Sequence, residues 1–125
     1  MILKLDFQSD VPIYQQICNQ IIFWISTGEL KSGERLPTVR SLAEEAGINS
    51  MTVSKAYQQL KAEGYLITER RNGVMVSDRF QKPGELSEED KKALVLVISR
   101  ARIAGVPKEE FLELCERLYD RKADM

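Results

Sequence analysis

The residues of this chain that could do chemistry are hydroxyl groups and cations in two segments without acids. The first segment lies between Glu45 and Glu63, and the second covers residues 70–77 and begins with two adjacent arginines. The hydrogen-bonding side chains of the first are Ser50, Thr52, Ser54, Lys55 and Lys61. Such groups suit phosphates and the edges of bases. Because the formal net charge is −1, this indication comes from where the charges lie and not from their sum.

The sequence lacks histidine-based catalysis and the motifs of most metal sites. It contains no histidine, and Cys18 and Cys115 have no CxxC partner. Both cysteines fall on apolar helical faces, so we expect buried thiols. The acidic residues 88–90 suit the first turn of a helix better than a metal site. No nucleophile elbow, phosphate loop or paired carboxylate cluster occurs, so we expect no enzyme, no cofactor and no metal.

Three predicted helices would position the first polar segment. The first spans Pro12 to Thr27, and its apolar stripe is Tyr14, Ile17, Cys18, Ile21, Trp24 and Ile25. Ile22 and Phe23 lie off this stripe and form a second apolar face of the helix. This second face predicts a second packing partner. Helix 2 follows Thr38 as its N-cap and ends before Gly47, and helix 3 runs from Asn49 to Glu63. A turn of only three residues, 47–49, joins the last two, which is typical of a helix-turn-helix.

The period of helix 3 decides which of its residues face outward. Its predicted inward stripe is Val53, Ala56, Tyr57 and Leu60. Met51 and Lys55 then lie on the opposite side, with Thr52 and Ser54 beside them. This face suits the major groove of DNA, although an ordinary solvated face has the same polarity. Arg40 lies in the first turn of helix 2, where the helix dipole disfavours a cation, so a DNA phosphate or an ion pair with Glu44 would compensate it.

The second acid-free segment predicts a β-hairpin. Strands at 65–69 and 74–77 flank an Asn72-Gly73 turn. This hairpin is the wing of a winged helix-turn-helix. Arg70 and Arg71 at its tip would contact the minor groove or backbone of DNA, or would simply be solvated.

The last 45 residues predict a helical hairpin after a Pro83-Gly84 linker. The main apolar positions are Leu94, Val97, Ile98 and Ala101 on its first helix and Phe111, Leu112, Cys115 and Leu118 on its second. A two-helix hairpin cannot hide that much apolar surface within itself, so we expect a homodimer that also uses Phe23. The predicted fold is mainly α with a small β-wing, with a DNA-binding domain at 1–80 and a dimerisation hairpin at 81–125.

Five runs of residues carry a family resemblance. They are Pro12-Ile-Tyr-Gln-Gln-Ile, Gly28-Glu-Leu, Gly33-Glu-Arg-Leu-Pro-Thr-Val-Arg-Ser-Leu-Ala, Met51-Thr-Val-Ser-Lys-Ala-Tyr and Glu63-Gly-Tyr-Leu. Residues 10–77 thereby resemble the N-terminal domain of GntR-family bacterial regulators, and the short helical tail resembles the YtrA-like branch. The resemblance implies DNA contacts at Arg40, Ser50, Met51, Thr52, Ser54, Lys55, Arg70, Arg71 and Gly73. Several relatives carry arginine where this chain has Ser50 or Ser54, so base preference does not transfer.

The resemblance also implies a biological role. It predicts a sequence-specific regulator that represses its own operon, with transporter genes as frequent neighbours, and that binds a palindromic operator in double-stranded DNA as a homodimer. A winged helix that binds RNA or protein is the alternative. The longest apolar run, Ala93 to Ile98, is far shorter than the roughly 20 residues of a membrane span, so we expect a cytoplasmic protein without membrane contact. Two helices cannot enclose a pocket of about 300 Å³, so a small-molecule effector, if there is one, would bind at the dimer interface or between the hairpin and helix 1.

Overall fold

The computed structural model describes residues 1–78 and 84–121. Its elements are α1 (Ile13–Thr27), α2 (Val39–Ala46), α3 (Ser50–Ala62), β1 (Leu66–Glu69), β2 (Gly73–Val76), α4 (Glu88–Ile103) and α5 (Lys108–Tyr119). This order confirms a mainly helical fold with a small β-wing. The chain forms two compact units, Met1–Gln81 and Lys82–Met125. The predicted boundary after residue 80, and Pro83 of the predicted linker, lie outside the described residues.

The core of the first unit lies between α1, α2, α3 and the hairpin. Ile17, Cys18 and Ile21 of the predicted α1 stripe are fully buried, and the other three stripe residues are half-buried against them. The four predicted inward residues of α3, from Val53 to Leu60, are all buried. Leu42 and Ala43 of α2 complete the helical part of the core. The helical period therefore identified the buried faces correctly.

The N-terminal segment is an extended arm that lies along α1. The backbone N–H groups of Lys4 and Asp6 donate to Gln20 Oε1 and Gln16 Oε1, each at 2.8 Å, and both glutamine amides donate back to the carbonyls of the same two residues. Met1, Leu3 and Leu5 pack against the core, as does Ile22. The prediction that Ile22 needs a second partner is therefore wrong, because the residue packs within its own unit.

Two polar side chains lie inside this core. The Tyr57 hydroxyl donates to the carbonyl oxygen of Pro37 at 2.9 Å, and burial raises the pKa of the phenol well above its ordinary value. The Cys18 thiol lies 3.5 Å from the carbonyl oxygen of Ala56. Burial, and then the charge of Glu63, raise the pKa of Cys18 to about 11, so the group stays a neutral thiol near pH 7. The prediction of a buried thiol is confirmed here.

Tyr57→Phe tests the contribution of this hydroxyl. We expect a loss of about 1 kcal/mol in the free energy of unfolding, because the Pro37 carbonyl loses its donor. Urea unfolding of the full chain measures the loss. Tyr119→Phe is the control, since Tyr119 is 91% exposed. Equal stability of the two variants would contradict a structural role for the Tyr57 hydroxyl.

The second unit begins with a capped helix. Ser87 Oγ accepts the Asp90 N–H at 3.1 Å, and the three acids 88–90 lie in the first turn, as predicted. Neither α4 nor α5 contains a buried residue. Cys115 on α5 is exposed, so the prediction of a second buried thiol is wrong for the single chain, because two helices alone do not enclose it.

Candidate nucleic-acid interface

The predicted turn between α2 and α3 is confirmed. Thr38 Oγ1 accepts the Ser41 N–H at 3.0 Å at the start of α2, and Asn49 Oδ1 accepts the Met51 N–H at 2.8 Å at the start of α3. Gly47 ends α2 with φ 69° and ψ 35°, a left-handed conformation that side-chain-bearing residues seldom adopt. Three residues thus connect the two helices.

The first two turns of α3 present the predicted polar face. Ser50, Met51 and Lys55 are exposed, with Met51 at 76%, and Thr52 and Ser54 are half-buried beside them. None of these five side chains is acidic. The structure therefore brings the five predicted α3 residues together on the surface of one helix.

Lys55 has a partner that sequence reasoning missed. Its Nζ lies 4.0 Å from the centre of the Tyr14 ring on α1. A cation over an aromatic face is stabilised by about 0.5–1 kcal/mol at an exposed site. The contact joins residues 41 positions apart, so no local pattern in the sequence indicates it.

Arg40 forms an ion pair with Glu44, which was the alternative to a DNA phosphate in the sequence analysis. Its Nε lies 3.5 Å from Glu44 Oε1, with the two side chains 89% and 73% exposed. An exposed pair at this spacing contributes only about 0.3–0.5 kcal/mol. Arg40 can therefore exchange Glu44 for a phosphate at little cost.

The wing differs in detail from the prediction. In the antiparallel register Glu69 lies opposite Gly73, so Gly73 belongs to β2 and the loop consists of residues 70–72. The prediction of two strands around an Asn72-Gly73 turn is therefore corrected. Gly73, the first residue after the loop, has φ 71°, a left-handed conformation that glycine adopts without strain. Asn72 Nδ2 donates to Glu69 Oε2 at 3.0 Å across the base of the loop.

Arg70 and Arg71 lie in this loop and are exposed. Among residues 1–78 and 84–121, no ion pair involves either of them. The carboxylate of Glu69 accepts a hydrogen bond from Asn72. The wing tip therefore presents two adjacent cations that are available to an anion.

A third extended segment, residues 34–36, pairs with β2, and no pattern in the sequence predicts this pairing. The Leu36 N–H donates to the Val74 carbonyl at 2.8 Å, the Val76 N–H to the Glu34 carbonyl at 2.9 Å, and Arg35 lies opposite Met75. The pairing is too short to give an alternating pattern. It joins the wing to the residues just before α2.

The described residues have neither a membrane-spanning helix nor a cluster of metal ligands. None of their helices is long and apolar enough to span a bilayer. Within 1–78 and 84–121, no three side chains of the Cys, Asp or Glu type come together as a metal site would require.

Comparison with known proteins bears on the identity of the first unit. Residues 13–76, from α1 to the end of β2, match the family described as bacterial regulatory proteins, gntR family. The chain belongs to the GntR family. The HTH-type transcriptional repressor YtrA of Bacillus subtilis is 35% identical to it over 89% of this chain and 87% of the relative. The resemblance to the YtrA-like branch is thereby confirmed. The GntR family consists of regulatory proteins and not of enzymes.

Solved structures support the same assignment. A structure from Listeria monocytogenes EGD-e, described as a transcriptional antiterminator, covers 100% of this chain and 96% of its own at a TM-score of 0.87 and 28% identity. The DNA-binding domain of AraR in complex with operator ORX1 covers 60% of this chain and 96% of its own at a TM-score of 0.54 and 28% identity. The GntR chain described here thus shares its fold with transcription regulators.

Proposed function

We propose that this GntR-family chain is a sequence-specific DNA-binding regulator that represses its own operon and binds a palindromic operator as a homodimer. The observation that carries the proposal is the exposed, acid-free face of α3 in the same unit as a wing whose two arginines form no ion pair with any described residue. The solved complex of the AraR domain with an operator supports double-stranded DNA as the partner. The repressor role is supported by the name of the B. subtilis relative YtrA.

In this proposal, three elements contact the duplex. The α3 residues Ser50, Met51, Thr52, Ser54 and Lys55 read base edges in the major groove, where hydroxyl and amine groups hydrogen-bond and a methionine meets a thymine methyl. Arg40 binds a phosphate beside the groove. Arg70, Arg71 and the backbone at Gly73 contact the adjacent minor groove or its phosphates.

The second unit supports dimerisation. Its predicted contact residues are Leu94, Val97, Ile98, Ala101, Phe111, Leu112 and Leu118. None of them is buried in the single chain. The first helix, α4, also exposes Val95 and Leu96. A second copy offers the same surface, and a two-fold contact covers both at once. Phe23 of α1 is the predicted contribution of the first unit.

A two-fold dimer explains the form of the operator. It places two α3 helices on one face of the duplex, about one helical turn or a multiple of it apart, so the two half-sites are inverted copies. The regulator then acts in the bacterial cytoplasm, and it shuts off an operon that includes its own gene, with transporter genes as the expected neighbours. An effector would bind at the dimer interface or against α1.

The decisive experiment selects genomic DNA fragments with the purified full chain. Filter binding then compares a selected fragment, a random duplex and an RNA of the same sequence over a range of salt concentrations. We expect the selected fragment to bind at least about 1,000-fold more tightly than the random duplex and to contain an inverted repeat upstream of this gene. Tighter binding of the RNA would favour the alternative of an RNA-binding winged helix.

The double variant Arg70→Ala with Arg71→Ala tests the wing. We expect similar losses of affinity for operator and random DNA and a flatter dependence on salt, because backbone contacts release counterions without reading sequence. Lys92→Ala with Arg117→Ala is the matched control, since it also removes two exposed cations, but from the polar faces of α4 and α5. Salt slopes equal to those of the parent protein would place the wing tip away from the duplex.

A further inference from the structure

A groove of about 350 Å³ lies between the wing and the start of α2. Its walls come from the segment that precedes α2 and from the loop and first residues of the hairpin. Its lining residues are Arg35, Leu36, Thr38, Val39, Arg71, Asn72, Gly73 and Val74. The third extended segment, which sequence reasoning missed, therefore forms one side of a groove whose other side is the wing.

The described residues give this groove a positive charge. Arg35 and Arg71 line it, and none of the acidic side chains that the structure describes does. Within the described part of the chain, neither arginine takes part in an ion pair. The other polar side chains already have partners, because Thr38 caps α2 and Asn72 donates to Glu69. The two guanidinium groups are therefore the charged donors that the groove offers to a ligand.

Arg35 is held in place by its backbone. The two hydrogen bonds on either side of it, Leu36 N–H to Val74 O and Val76 N–H to Glu34 O, fix the segment to β2 at 2.8 and 2.9 Å. Side chains alternate along an extended segment, and Leu36 is buried in the core. Arg35 accordingly projects to the outer side and is exposed.

We propose that Arg35 and Arg71 together bind one phosphate group of the DNA backbone in this groove. This inference rests on the proposed function and adds to it Arg35, which lies on neither the helix-turn-helix nor the wing tip, as a partner of Arg71. The planar guanidinium group matches the geometry of phosphate oxygens and stays charged at any physiological pH. A phosphate held between the two arginines fixes the orientation of the wing relative to α2, which presents Arg40.

Arg35→Gln in the full-length protein tests the contact. Fluorescence anisotropy measures the affinity for an operator duplex and for a random duplex between about 50 and about 200 mM salt. We expect the slope of log affinity against log salt to fall by about one, and both affinities to fall by a similar factor of about three to ten. Lys92→Gln, which removes one exposed cation from α4, should leave the slope unchanged. A slope for Arg35→Gln equal to that of this control would overturn the inference.

Arg35→Gln combined with Arg71→Gln tests whether the two arginines share one phosphate. Arg71→Gln alone completes a double-mutant cycle. If the two arginines share one phosphate, the losses of affinity in the two single variants do not add up to the loss in the double variant. Additive losses would mean two separate phosphates and would overturn the shared site. Circular dichroism of each variant establishes that the fold is kept.

Two further measurements show whether the phosphate belongs to DNA or to a small molecule, and whether a negative result concerns this inference or the proposed function. Pyrophosphate and a nucleoside diphosphate serve as free phosphate probes in isothermal titration. Binding of either at micromolar concentration that is lost in Arg35→Gln would assign the groove to a small molecule instead of DNA. If the parent protein has no salt-dependent affinity for any duplex, the proposed function and this inference both fail. If the parent protein binds DNA and the Arg35→Gln variant binds it equally well with the same salt slope, only this inference fails.

Discussion

Val97→Glu is expected to convert the protein into a monomer that binds its operator at least about 100-fold more weakly than the parent does. Val97 is 47% exposed on α4, in the middle of the predicted dimer stripe. At a two-fold interface the new carboxylate would be taken out of water without a partner, which costs several kcal/mol. A monomer would then contact one half-site instead of two. Sedimentation at micromolar concentration and gel shifts with an operator measure the two effects.

Cys115 provides an independent readout of the same prediction. It belongs to the α5 stripe and is exposed in the single chain, whereas Cys18 is buried and its pKa is raised to about 11. We expect a thiol reagent near pH 8 to modify Cys115 slowly in the dimeric parent and rapidly in Val97→Glu. Cys18 should react only after unfolding.

Lys92→Glu is the control for Val97→Glu. It places a carboxylate on the same helix, but on the polar face opposite the stripe, so it should leave the dimer intact. A parent protein that sediments as a monomer at micromolar concentration and still binds its operator with full affinity would refute the role of the hairpin. Equal effects of the two glutamate variants would do the same, because they would not depend on the stripe.

The second large effect is expected from Arg40→Ala and Thr52→Ala. Each should weaken operator binding by about 1–3 kcal/mol, because each removes a side chain that faces the duplex in the proposed complex. Arg40 is exposed, and its pair with Glu44 contributes at most about 0.5 kcal/mol, so the fold should remain intact. Gel shifts with a natural operator measure affinity, and thermal unfolding measures stability.

Thr27→Ala is a matched control for Thr52→Ala. Its hydroxyl donates to the Trp24 carbonyl at 3.2 Å within α1, and Thr27 is the last residue of that helix. We expect the control to bind the operator like the parent. If Arg40→Ala and Thr52→Ala also bind like the parent, the proposed docking of α2 and α3 is wrong.

The sequence alone determined the helices of the first unit and their buried faces. Thr38 and Asn49 accept backbone N–H groups at the predicted N-caps, and Gly47 ends α2 in the predicted turn. Capping joins residues two or three positions apart, and the helical period follows from backbone geometry. Such local interactions leave a readable pattern in the sequence. The polar face of α3 was predictable for the same reason, because it is the side opposite the four buried residues.

Only the tertiary structure decided how distant segments meet. The arm along α1, the contact of Lys55 with Tyr14 and the pairing of Arg35 with Met75 join residues that are between 10 and 41 positions apart. Each depends on where the three helices and the hairpin pack, and no periodic pattern encodes it. The exposure of Cys115 is of the same kind, since an apolar helical face is buried only when a second surface covers it. The groove beside Arg35 therefore exists only in the folded chain.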